Sequence, residues 1–115
     1  MSISPEIQNL IKRLEQELEE IESDVREGLN MVQPIISSFP NNVFLTQFFA
    51  SLNNHLLYVQ ISKSRIQIIV NRLSSINVTP DEILETGEDL SMELGRAIDA
   101  KISVKQIVNR LRELS

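Results

Sequence analysis

One spacing runs through this chain three times. In the first segment apolar residues stand at Ile7, Ile11, Leu14, Leu18, Ile21 and Val25, alternately four and three apart. At 3.6 residues per turn, that alternation keeps all six on one stripe of a helix. A strand, with its side-chain period of two, would scatter them over both faces. Adding 38 to each position gives Leu45, Phe49, Leu52, Leu56, Val59 and Lys63, and adding 38 again gives Ile83, Gly87, Leu90, Leu94, Ala97 and Lys101. A period of 38 is five heptads and a three-residue connection. Helices of some 34 residues are on the order of 50 Å long, and such short connections make sequence neighbours antiparallel. The expectation is an all-α, up-down-up bundle of three long helices, about 5–38, 42–76 and 80–114, forming one domain over 1–115.

The local signals for helix ends agree with this period. Ser4 followed by Pro5 supplies an N-cap and a proline at the first helical position. Pro34 removes a backbone donor and should kink the last turn or end the first helix early. The run Ser37-Ser38-Phe39-Pro40 then breaks the pattern, and Asn41-Asn42 can cap the second helix. Neither Gly nor Pro interrupts residues 41–78. In "VTPDEI" Thr79 caps, Pro80 starts the helix, Glu82 completes a capping box, and Val78 with Ile83 forms a hydrophobic staple. One alternative stays open in the third segment. Ser103 with Gln106 also fits a capping box, and Ile102 with Ile107 a staple, so a break near 100–103 would yield a fourth short helix. The unbroken seam through Ala97, Lys101, Val104, Val108 and Leu111 favours one helix.

The pentapeptide "IVNRL", present at 69–73 and again at 107–111, belongs to the same pattern. Both copies put Val and Leu on the seam and leave Asn and Arg outward, near the end of an expected helix where Arg suits the helix dipole. It reads as a trace of the 38-residue period rather than a functional motif.

Composition narrows the functional classes. There is no cysteine, so thiol metal sites and disulfides are excluded. No apolar run approaches the roughly 20 residues of a membrane span, and "MSISPEIQNL" lacks the basic and apolar regions of a signal peptide. The cytoplasm is the expected location. The net charge of −5 is unevenly spread. Residues 1–27 carry 8 acids and 3 bases, 28–80 no acid and 3 bases, 81–100 7 acids and 1 base, and 101–115 1 acid and 4 bases. Segments of opposite sign should attract one another, modestly where exposed.

No catalytic constellation stands out, and no enzyme activity or cofactor is expected. Glu17 and Glu20 form an ExxE pair, and Glu82, Glu85, Glu88 and Asp89 offer further carboxylates, as a magnesium-dependent nucleotide hydrolase of all-α type would use. Glu17 and Glu20 flank the seam, however, and a solvated face with pairs such as Glu22–Arg26 accounts for the acids. His55 is the one histidine, with no partner ligand for zinc. Gly28, Gly87 and Gly95 are isolated and form no phosphate loop. Residues 90–114 have a faint look of a helix-turn-helix, with Lys105, Gln106, Asn109 and Arg110 as base-reading candidates. That segment lacks the turn glycine and comes after an acidic stretch that repels phosphate, so nucleic acid is disfavoured. Lys63 and Lys101 hold equivalent seam positions and can snorkel or pair with carboxylates of the first helix.

The remaining feature lies on the second helix. Leu57, Ile61 and Ile68, with Ser64 between, repeat the 4,3,4 spacing on roughly the opposite side from the seam, and Tyr58 lies beside them. An apolar stripe that the bundle need not cover marks an interaction surface. The expected function is therefore a non-enzymatic structural or interaction protein that self-associates, most simply as a homodimer, or docks another protein there.

Overall fold

The computed structural model describes residues 3–75 and 77–114. The described residues form three helices and no strand: α1 Pro5–Ser38, α2 Val43–Leu73 and α3 Pro80–Leu114. Their ion pairs fix the directions. Glu17 and Glu27 of α1 meet Lys101 and Arg112 of α3, in ascending order on both, so α1 and α3 run parallel. Arg65 and Arg72 of α2 meet Glu93 and Glu82, in opposite order, so α2 runs antiparallel. The product is the expected three-helix bundle, a rod of 57 × 18 × 16 Å.

The caps form largely as the sequence predicts. Ile7 N–H donates to Ser4 Oγ, Leu45 N–H to Asn42 Oδ1 and Glu82 N–H to Thr79 Oγ1. The capping box at Glu82 closes only on that side, because its carboxylate instead accepts from Arg72 at 2.5 Å. One boundary differs from expectation, that of α2. α1 reaches Ser38 as expected, running through Pro34 for a further turn. Pro34 and Asn30, whose carbonyl loses its partner, are both exposed, so water can replace the lost bond. α2 stops at Leu73 rather than near 76. Ser74 donates both its N–H and its hydroxyl to the Val70 carbonyl, and this serine competition closes the last turn. Ile76, included in the expected helix, lies outside the described residues. α3 is continuous across 100–103. Ile102 and Ser103 are exposed, so neither the alternative staple nor a fourth helix forms.

α1 is the centre of the fold. Its seam is buried at Ile7, Ile11, Leu14, Leu18, Ile21, Val25, Gly28 and Val32, packed along both other helices. Gly28 permits the closest approach. A methyl group there would lie 3.0 Å from Leu52 Cδ1 of α2 and 3.3 Å from Val108 Cγ2 of α3. α2 buries Leu45, Leu52, Val59, Ile66 and Leu73, seven residues apart throughout. The expected seam partners Phe49, Leu56 and Val70 are only half-buried, and Lys63 is exposed. That row faces α1, while the row Phe48, His55, Ser62 and Ile69 faces α3. α2 and α3 meet over a shorter stretch than either shares with α1.

Candidate interaction surface

The side of α2 turned away from the core carries the row Val43, Gln47, Ala50, Asn54, Leu57, Ile61, Ser64, Ile68 and Asn71, spaced four and three, and every one is exposed. Leu57, Ile61 and Ile68 are 55%, 49% and 68% exposed, high values for side chains of this kind. Not one residue of the row is charged. At 1.5 Å per residue, positions 43–71 make a charge-free strip about 42 Å long. A shallow apolar groove crosses it between Gln60, Ile61, Ser64, Arg65 and Ile68. The outward sides of α1 and α3 differ: Lys12, Glu19 and Arg26 are exposed on one, and Asp81, Glu85, Glu88, Asp99 and Glu113 on the other.

Tyr58 sits apart from this row. It is half-buried and lines a groove with His55, Arg96 and Ala100 on the α3 side. Burial of the phenol pushes its pKa up, an effect that the nearby Ser62 hydroxyl partly offsets. His55 Nδ1 lies 2.7 Å from the Ser51 carbonyl, which only accepts, so Nδ1 carries the proton and the ring is held against its own helix. Close by is a feature that an apolar reading of the sequence passes over. Glu93 is only 7% exposed, and its Oε1 accepts from Arg65 at 2.6 Å and from Arg96 at 2.9 Å. This Arg–Glu–Arg bridge joins α2 to α3. The one sequence signal for it is an acid four residues before Ala97 of the seam.

The segments of opposite charge do pair. Lys101 Nζ is 2.6 Å from Glu17 Oε2, Lys105 is 3.2 Å from Glu20 and 3.0 Å from Asp24, and Arg112 is 2.6 Å from Glu27. Asp24, followed by Glu20, raises the Lys105 pKa. On the other flank Lys63 lies 2.5 Å from Glu22. With Arg26 second, it holds that carboxyl below its ordinary value. Both seam lysines thus reach α1, where each meets an acid.

These pairs bear on the other site candidates. Glu17 and Glu20 are engaged by Lys101 and Lys105, and among the described residues no group of three or more His, Asp or Glu could hold a metal ion. The turn that a helix-turn-helix needs is missing, since residues 90–114 lie in one helix, and Lys105 is turned to the acids of α1. Gln106, Asn109 and Arg110 are exposed, and Asn109 accepts from Arg112 at 3.3 Å. No described helix is long and apolar enough to cross a membrane. Compared with protein families, curated proteins and solved structures, the chain matches none.

Proposed function

We propose that this is a non-enzymatic interaction protein whose bundle self-associates through the outer face of α2, with Leu57, Ile61 and Ile68 as the apolar contacts. The observation that carries the reading is the exposed row from Val43 to Asn71, in which no residue is charged and Leu57, Ile61 and Ile68 stand open to solvent. Two copies each carrying −5 repel where acids meet. Juxtaposing two neutral, half-apolar strips avoids that repulsion and removes exposed apolar side chains from water. A twofold pair also needs only one self-complementary patch, which is the commonest solution for soluble oligomers. A single helix face is narrow. Specific interfaces cluster near about 800 Å² per partner, so a pair held by one helix face is expected to be concentration-dependent.

Sedimentation over a concentration series from micromolar to near-millimolar tests this. The expected result is a mass that rises from 13.1 kDa towards twice that value, and that stays at 13.1 kDa when Ile61→Asp and Ile68→Asp are combined. A wild-type monomer throughout the range sinks the proposal. So does association that the two substitutions leave unchanged.

A further inference from the structure

A second surface, at the opposite edge of the rod, has a different chemistry. Where the N-terminal turns of α1 and α3 lie side by side, the helices leave an open cleft of about 510 Å³. That is within the range of about 300–1,000 Å³ in which ligand pockets fall. Its walls are Ile7 and Leu10 of α1 and Ile83 and Leu84 of α3, and Leu84 is 66% exposed. Its cause is Gly87. In the 38-residue alignment this position corresponds to Ile11 and Phe49, so a glycine stands where the other two helices carry a large apolar side chain. A Cβ added to Gly87 would meet nothing within 4 Å. The seam therefore has a hole at Gly87 that no side chain among the described residues fills.

The charges around the hole are as informative as its shape. Along the edge where α1 meets α3, the row Glu17, Glu20, Asp24 and Glu27 finds Lys101, Lys105 and Arg112 opposite. Traced back towards the N-terminus at the same spacing, the α1 row reaches Arg13, Leu10 and Glu6, and the α3 row reaches Ile98, Leu94, Ser91, Gly87 and Leu84, with Glu88 next to Gly87. At the cleft the pairing pattern stops. Glu6 and Glu88 both line it, no base does, and neither acid has an ion pair among the described residues. Two like charges flank an apolar opening, and the next exposed residues of α3 on either side, Glu85 and Asp89, add to the same sign.

We propose that this cleft is a docking site for a basic amphipathic helix of another protein, which places an apolar side chain over Gly87 and Lys or Arg residues beside Glu6 and Glu88. Shape and charge select this occupant together. An apolar knob fills the space left by the missing side chain, as a helix laid in a groove does with anchors at i, i+3 or i+4, and i+7. Flanking cations complete the ion-pair row that the bundle itself leaves unfinished, giving orientation and rejecting acidic partners. A second copy of this chain is a poor fit, because the cations beside its exposed apolar strip on α2, Lys63, Arg65 and Arg72, are already paired with Glu22, Glu93 and Glu82. The site is separate from the outer face of α2 and does not depend on the self-association proposed there.

Calorimetric titration of the full chain with three synthetic helical peptides tests the site. One carries leucines at the anchor spacing with lysines on both flanks. The second keeps the leucines and replaces lysine by glutamate. The third keeps the lysines and replaces leucine by serine. The first is expected to bind, and the other two at least about tenfold more weakly. On the protein, Gly87→Leu, whose Cβ would meet nothing within 4 Å, puts an apolar side chain into the cleft and is expected to weaken the first peptide at least about tenfold while thermal stability holds or rises. Glu6→Lys with Glu88→Lys should weaken it similarly, and Ile61→Asp should leave it unchanged. The proposal is overturned by absence of binding to the wild type, by equal binding of the leucine and serine peptides, or by equal binding to wild type and Gly87→Leu. Self-association that Gly87→Leu abolishes would overturn it too, since the occupant would then be a second copy.

Discussion

Three glycines with the same helical backbone face three different surroundings, and their substitution separates packing from propensity. Gly87 and Gly95 have open space where a Cβ would be, so Gly87→Ala and Gly95→Ala should each raise stability by up to about 1 kcal/mol, the helix-propensity difference between the two residues. At Gly28 the new methyl group meets Leu52 and Val108, so the same change should yield less, and Gly28→Val should cost about 1–3 kcal/mol through overpacking. Chemical denaturation monitored by circular dichroism checks the series. An equal gain at all three positions would mean that α1 does not approach its neighbours as closely as described. Residues of this kind are only partly legible in the sequence. The isolated glycines are visible there, but their opposite roles depend on what the other helices bring near them. Ser62 and Glu93 are hidden for a related reason: a seam traced by apolar residues treats a polar residue as solvated, whereas Glu93 is buried because two arginines from different helices reach its carboxylate.

At the scale of elements, the charge ladder sets how α3 lies against α1. The apolar seam repeats every seven residues and would tolerate a shift of one heptad. The pairs Lys101–Glu17, Lys105–Asp24 and Arg112–Glu27 are made in only one register. Most are partly exposed, so each is worth about 0.2–1 kcal/mol. Lys101→Glu combined with Lys105→Glu, which turns attraction into repulsion, should destabilise by about 1–3 kcal/mol at low salt. The loss should shrink in 1 M salt, where screening acts over about 3 Å, and Glu17→Lys with Glu20→Lys should restore part of it. Denaturation at two ionic strengths measures all of this. No destabilisation at low salt would leave the apolar seam alone to fix the register. The segmental charges predicted the attraction, and the second helix obeys the same rule through Lys63 and Glu22.

For the whole molecule, ion pairs on both flanks of α1 make stability depend on pH. Lys63 and then Arg26 lower the Glu22 pKa, so that pair contributes fully above the ordinary value of 4.5 and is lost as pH falls through the lower folded value. Lys105, whose pKa is raised, contributes fully below 10.5 and is lost as pH rises through its higher folded value. Melting temperature should therefore fall at both ends of the scale, and Lys63→Met should flatten the acid limb by releasing Glu22. Parallel acid limbs for the variant and the wild type would remove this pair from the explanation. The exposure of large apolar side chains on α2 and at Leu84 also belongs to this scale, because it depends on how three helices share their faces.

The sequence by itself determined that there are three helices, where they begin, and which stripe of α1 is buried. Those properties arise from spacing over three or four residues and from caps that act within one turn. It also placed the apolar stripe at Leu57, Ile61 and Ile68. Tertiary structure alone decided which flank of α2 meets α1 and which meets α3, that Tyr58 turns towards α3, that Glu93 is buried, and that the hole at Gly87 opens between two acids. Each of these depends on side chains from helices dozens of residues apart in the chain. Periodicity along one helix states that a face is apolar, and only the packing of the others establishes whether that face is covered.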